Sequence, residues 1–151
     1  MNINYNVDNE NHNIILKNKI DFSINDLIEK YKSDKKILFV YDKNISKQKI
    51  EKFINILKKI GCDLTAFEFK GSKKNKNEKS LFFLIDTLID KKFTKNSILV
   101  SFGGGVVGDI CALASNLYYR GIIYFHIPST ITAIIDSCIG GKTAINYKGI
   151  I

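Results

Sequence analysis

Residues 97–109 read SILVSFGGGVVGD. An apolar run of strand-forming residues passes directly into three consecutive glycines, followed by a helix-competent segment. Glycines at this junction remove every Cβ from the turn, so a bulky, charged ligand can approach the backbone closely. A helix behind them offers free N–H groups and the positive end of its dipole, both of which favour a phosphate. A tight turn with positive φ would account for one glycine, but not for Gly103, Gly104, Gly105 and Gly108 together. Gly103, Gly105 and Gly108 also satisfy the expression G-x-G-x-x-G, a weak signal alone.

Outward from this junction, short apolar runs alternate with helical periodicity. KKILFVYD (35–42), LTAFEF (64–69), SILVSF (97–102) and IIYFHIP (122–128) read as strands. Between them, residues 46–61 place Ile50, Phe53, Ile54, Leu57 and Ile60 at helical spacing, with Ser46 and Gly61 as candidate caps. Residues 80–92 place Leu81, Leu84, Ile85, Leu88 and Ile89 on one helical face. A third helix is expected over 109–119, ended by Gly121, a short one over 129–138, and another within INDLIEKY (24–31). INYNV and NIILK flank the polar DNENH and predict an N-terminal β-hairpin with a longish loop. The expected class is α/β: a Rossmann-like open parallel sheet with helices on both faces, preceded by the hairpin. Ligands of such sheets bind beyond the carboxyl ends of the strands. Asp42, the glycine run and Pro128-Ser129-Thr130 all fall there.

The chain has 151 residues and 45% apolar content, enough for one domain with a core. No apolar run is long enough to span a membrane, and the N-terminus MNINYNVDNENHN carries no signal-peptide pattern. The formal net charge of +8 raises a nucleic-acid reading, but the lysines are spread along the chain rather than clustered. The densest run, KGSKKNKNEKS, reads as a solvated loop. Cys62, Cys111 and Cys138 follow no pairing pattern, which predicts reduced thiols and a cytoplasmic location. With only His12 and His126, no metal-ligand spacing is present.

DSCIGGKT (136–143) ends like a nucleoside-triphosphate loop, which requires G-x-x-x-x-G-K-[ST]. The first glycine of that pattern would be residue 136, which is Asp136, and the segment follows a helix rather than a strand. The triphosphate reading fails on charge and on context. What remains is Lys142, able to hold a phosphate or carboxylate as a point charge, and Asp136, able to hold a hydroxyl or carboxamide. Asp42 either accepts ribose hydroxyls or initiates a turn. Asp109 reads first as a helix-start residue and second as a ligand contact. Arg120, the single arginine, is either a favourable charge at a helix end or a two-pronged contact. His126, in an apolar strand, reads as a satisfied core histidine.

GGGVVGD, YYRG, PST and DSCIGGKTAIN, in that order over about residues 98–147, resemble the NAD-binding half of 3-dehydroquinate synthase, whose pattern is GGGVxGD, YxRG, PTT and DSSxGGKTxxN. The resemblance implies that Gly104, Gly105, Val106, Val107, Gly108 and Asp109 cradle the pyrophosphate and nicotinamide end of NAD. It implies that Asp42 takes the adenosine ribose. Ser129 and Thr130 occupy the family's threonine pair, and Asp136 lies near nicotinamide and substrate hydroxyls. Lys142 contacts the substrate, and Arg120 reaches the substrate phosphate in the neighbouring subunit of a homodimer. Lys79 matches the lysine of the family's G-E-x-x-K-S element, whose glutamate aligns to Lys76, a departure.

The family reaction is then the implied one. NAD oxidises an alcohol of 3-deoxy-D-arabino-heptulosonate 7-phosphate, phosphate leaves, the hydride returns, and ring opening with an aldol step gives 3-dehydroquinate, on the shikimate route to aromatic amino acids. The resemblance places the divalent metal, zinc or cobalt, and most substrate contacts in a helical C-terminal domain. Residues 1–151 would be the N-terminal NAD-binding domain, without metal ligands and inactive alone. The rival readings are a sibling sugar-phosphate cyclase such as an inosose synthase, a polyol dehydrogenase sharing the glycine run, and a basic nucleic-acid-binding module. No nucleic-acid or membrane partner is expected.

Overall fold

The computed structural model describes residues 2–7, 10–15, 28–31, 33–140, 143–148 and 150. Strands β3 (Lys36–Asp42), β4 (Asp63–Phe69), β5 (Ile98–Gly103) and β6 (Ile123–Pro128) form one parallel sheet in the order β4-β3-β5-β6. Strands β1 (Asn2–Val7) and β2 (Glu10–Ile15) form a separate antiparallel hairpin. Val7 pairs with Glu10, so only residues 8 and 9 separate the strands. The expected longish loop is therefore too long. Ladder pairing takes in the polar Glu10 to His12, which the apolar pattern had left outside a strand.

The helices lie on both faces of the sheet because side chains alternate along each strand. Ile37, Phe39, Ile98 and Val100 face Ile50, Phe53 and Leu57 of helix α1 (Lys47–Lys59). Leu38, Val40 and Leu99 face helix α2 (Glu78–Asp90) and helix α3 (Gly105–Leu117) through Leu81, Leu84, Leu88, Ile110 and Ala114. Every residue of β5 is buried, as a central strand covered on both faces requires. From β3 the chain winds through α1 to β4. It then returns through α2 to β5 on the other side of β3, and through α3 to β6. Opposite winding from a central pair of strands puts the crossover helices on opposite faces.

Helix ends differ from expectation in informative ways. Gly61, at φ +74, follows the C-cap of α1 as expected. Ser46 occupies the N-cap but makes no side-chain bond; its carbonyl accepts from Lys49 N at 3.0 Å. Helix α2 begins at Glu78, not residue 80, because Asn77 Oδ1 accepts from Ser80 N at 3.0 Å and caps it. Ile89 is 56% exposed rather than part of its packed face. Helix α3 starts at Gly105 and not Asp109, so two glycines lie inside it. After Leu117, Tyr119 and Arg120 both adopt positive φ before Gly121. Residues 129–138 do contain a helical turn, wound as a π-helix over Ala133–Ser137. Of the helix expected within 24–31, only 28–31 are described, and 28–30 are helical. Among the described residues no helix is long and apolar enough to cross a membrane.

Two truncations separate core from surface. Leu99→Ala, at a fully buried site, should lower the unfolding free energy by about 2–5 kcal/mol in urea titration. Ile131→Ala, at a position 77% exposed, should stay within about 0.5 kcal/mol of wild type.

Candidate functional site

Parallel strands bring their last residues, Asp42, Gly103 and Pro128, to one edge of the sheet. Chain progression reverses between β3 and β5, which opens a crevice outside their carboxyl ends. Asp42 stands in it, only 8% exposed. Its Oδ1 accepts from Asn44 N at 2.9 Å, and its carbonyl accepts from Ile45 N at 2.9 Å. The turn role of Asp42 is thus real. Its Oδ2 accepts no hydrogen bond among the described residues, which leaves a lone pair for a ligand.

Glycine is required around this carboxylate. A Cβ on Gly71 would overlap Asp42 Oδ2 and lie 3.2 Å from Val107 Cγ2. A Cβ on Gly103 would lie 2.8 Å from Val107 Cγ2 and 3.3 Å from Asp42 Cβ. The end of β5, the loop after β4 and the first turn of α3 therefore converge on Asp42 with no room for side chains.

Helix α3 opens at Gly104, which has no side chain to cap it. The amides of Gly105, Val106 and Val107 are first-turn donors without intrahelical partners, and they lie at the positive end of the helix. Val107 is buried at 1% and Val106 packs on the core, so these residues offer backbone rather than side chain. Gly108 packs face-on against His126; a Cβ there would lie 2.8 Å from Nε2 and 3.0 Å from Cε1.

Beside this opening, Ser129 N donates to Gly103 O at 2.8 Å, carrying the chain from β6 across to β5. Thr130 Oγ1 accepts from Ala133 N at 3.2 Å and so caps the following turn. A Cβ on Gly104 would sit 3.4 Å from Thr130 Cγ2, and one on Gly105 would sit 3.8 Å from Ser137 Oγ. Asp136 precedes Ser137 on that turn and is exposed; its carbonyl accepts from Gly140 N at 2.7 Å. Lys142 and Gly141 lie outside the described residues.

Two expectations change. Asp109 does not start a helix; it lies in the second turn of α3 and pairs with Lys76 Nζ at 2.5 Å, both side chains being less than a fifth exposed at 18% and 17%. Lys76 is correspondingly not part of a solvated lysine loop: Asn146 N donates to its carbonyl at 2.8 Å. Arg120 lies beyond the end of α3 at φ +61, exposed, at the far end of the helix from Gly105. Thirteen residues at about 1.5 Å rise each put it roughly 20 Å from the glycine turn. Lys79 is exposed on the first turn of α2.

His126 is only half satisfied. Its Nδ1 lies 2.7 Å from Ser101 Oγ, while Nε2 is buried without a partner among the described residues. Ser101 Oγ lies 2.8 Å from Tyr124 OH, which donates to Gly108 O at 2.9 Å. Burial holds the His126 pKa below its ordinary value, against the opposing influence of the Ser101 backbone and the Asp109 charge. Burial also raises the Tyr124 hydroxyl well above its usual range and pushes the Cys138 thiol up to about 11. Reading the sequence alone missed Gly71, the Lys76–Asp109 pair and this polar ladder. A glycine amid lysines, and Ser, Tyr and His at alternate positions in apolar strands, were the signals available. Among the described residues, no group of three or more His, Cys, Asp or Glu side chains could hold a metal ion.

Residues 66–150 match the family described as 3-dehydroquinate synthase N-terminal. The chain is 37% identical over 138 residues to the 3-dehydroquinate synthase of Francisella tularensis subsp. tularensis (strain WY96-3418), covering 91% of this chain and 37% of that protein. It therefore spans well under half the length of that relative. A solved structure of 2-deoxy-scyllo-inosose synthase, complexed with carbaglucose-6-phosphate, NAD+ and Co2+, superposes with TM-score 0.81 at 17% identity, over 98% of this chain and 41% of that one. The 2-epi-5-epi-valiolone synthase of Streptomyces hygroscopicus subsp. jinggangensis 5008, with NAD+ and Zn2+ bound, superposes with TM-score 0.69 at 26% identity, over 75% and 32%.

Two tests follow from the geometry. Lys76→Met leaves Asp109 unpaired and should destabilise by about 1–3 kcal/mol, with much of the loss recovered in Lys76→Met/Asp109→Asn, measured by urea denaturation. The second concerns pH. Below its ordinary value of 6.5 the unfolded His126 binds a proton that the folded ring, with its lowered pKa, still refuses. Its contribution to stability is complete above that value and lost as pH falls through the window beneath it. Urea midpoints across this range should fall more for wild type than for His126→Asn.

Proposed function

The chain belongs to the 3-dehydroquinate synthase family, and on that premise we propose that it binds NAD across the carboxyl ends of β3 and β5. It does so as the dinucleotide half of an enzyme that removes phosphate from 3-deoxy-D-arabino-heptulosonate 7-phosphate and cyclises the product. The observation that carries this reading is the meeting of a buried carboxylate, Asp42, with the uncapped, glycine-lined start of α3 at a single crevice. A ribose needs an acceptor for its hydroxyls, and a pyrophosphate needs clustered N–H donors with room to approach. Both needs are met within one glycine-walled space.

Each residue then has a task. Asp42 Oδ2 accepts from the adenosine ribose. The amides of Gly105, Val106 and Val107, reached over Gly104, donate to the pyrophosphate, and Gly108 lets α3 sit low enough to bring them there. The Lys76 ammonium neutralises Asp109, whose charge would otherwise oppose a dianionic ligand near the same turn. Lys79 stands at the adenosine side. Ser129, Thr130 and Asp136 border the nicotinamide side, with Asp136 free to accept from a carboxamide or a substrate hydroxyl. Lys142 contacts the substrate. Arg120, exposed at the far end of α3 from this crevice, serves the substrate phosphate of a partner subunit in a homodimer. Bound NAD supplies reversible hydride acceptance from a substrate alcohol.

A second reading is a sibling cyclase acting on another sugar phosphate, supported by the likeness to the inosose and valiolone synthases. The free thiols Cys62, Cys111 and Cys138 suit a cytoplasmic setting.

Calorimetry with NAD is the direct test. Saturable binding is expected, weakened about 10–100-fold in Asp42→Ala by loss of a charged acceptor. A salt-steep affinity for duplex DNA with none for NAD would instead make this a nucleic-acid module. The 151-residue chain, given zinc or cobalt and the heptulosonate phosphate, should release no phosphate; release would overturn its assignment as the dinucleotide half alone.

A further inference from the structure

Beneath the proposed NAD site, the three polar side chains between the sheet and α3 form a chain whose proton order can be worked out. Tyr124 OH has one proton and donates it to Gly108 O at 2.9 Å. Its contact with Ser101 Oγ at 2.8 Å must then be donated by the serine. Ser101 has now used its own proton, so the 2.7 Å contact with His126 Nδ1 must be donated by the ring. The order is Nδ1–H to Ser101, Ser101 to Tyr124, and Tyr124 to the Gly108 carbonyl. Nε2 is left as a bare lone pair, which explains how it can lie buried without a partner against Gly108. The opposite tautomer would bury an N–H with no acceptor, the costlier defect.

We propose that His126 is a positioning residue of the dinucleotide site: held as the Nδ1–H tautomer, its ring seats the first two turns of α3 on β6, and protonating Nε2 unseats them and weakens NAD binding. The proposal rests on the NAD reading above. The ring fills the volume a side chain at 108 would need, so it sets how closely the helix start approaches the crevice. An added proton on Nε2 would be a buried N–H with no acceptor among the described residues, and its charge would sit directly beneath the α3 backbone at Gly108. Asp109 of α3 is the nearby anion, and Lys76 already engages it. Tyr124 of β6, Cys111 of α3 and Cys138 of the following turn are the remaining titratable neighbours of the ladder, and burial keeps all three neutral.

The test uses the full chain. Nitrogen-15 spectra of the imidazole at neutral pH should give Nε2 the shift of an unprotonated nitrogen and Nδ1 that of a protonated one; the reverse pattern overturns the proposal. NAD titrations between about pH 7.5 and about pH 5.5 should show wild-type affinity falling, about tenfold for each unit by which seating the helix lowers the ring's pKa. His126→Asn keeps a donor toward Ser101 and cannot titrate, so its profile should be flat. If it does not fold, His126→Gln takes its place. A slope equal to that of wild type in the folded variant sinks this proposal alone. Absence of NAD binding at every pH sinks the NAD reading and takes this proposal with it.

Discussion

Helix α3 approaches the sheet through a gap that one methyl group would close. Gly108 meets the His126 ring, Gly103 meets Val107, and Gly71 meets the Asp42 carboxylate. Each contact is between backbone and side chain at distances where a Cβ cannot stand. Because the helix lies this low, its uncapped N-terminus reaches the mouth of the crevice between β3 and β5. Raising it by the thickness of a side chain would withdraw the first-turn amides from that mouth and leave Asp42 alone there.

Charge is arranged on the same plan. Asp42 is buried yet keeps one oxygen open, and the turn after β3 holds the other. Asp109, the second acid near the start of α3, is neutralised by Lys76, which reaches it from the loop following β4. The same loop is tied to the chain beyond the π-turn, through Asn146 N to Lys76 O at 2.8 Å and Asn146 Nδ2 to Lys73 O at 3.3 Å. Two segments far apart in sequence, the loop after β4 and the chain at Asn146, thus brace one helix turn. The wall of the crevice is built from loops, but loops fixed to one another by hydrogen bonds rather than left to solvent.

The family match covers residues 66–150, the part that carries β5, α3, β6 and the π-turn. The turn after β6 leaves Ile131, Ile134 and Ile135 exposed at 77%, 42% and 68%. Apolar side chains clustered on one short helical turn have no cover among the described residues. Asp136 follows Ile135 on the same turn and is likewise exposed.

Strand and helix identities were legible in the sequence because periodicity reports burial directly: Ile37 to Val40 and Ile98 to Val100 could only be buried strands, and Ile50, Phe53 and Leu57 only one face of a helix. The glycine run likewise announced a close approach, and strand ends named Asp42, Gly103 and Ser129 as neighbours. What tertiary structure alone decided was pairing at a distance. Local pattern carries no information on which lysine of KGSKKNKNEKS would find Asp109, or that Gly71 would lie against Asp42. The start of α3 also depended on packing: intrinsic propensity disfavours glycine in a helix, and contact with β6 overrides it. His126 was read as a satisfied core residue; its unpartnered nitrogen exists only because Ser101, Tyr124 and Gly108, from three different elements, close around it.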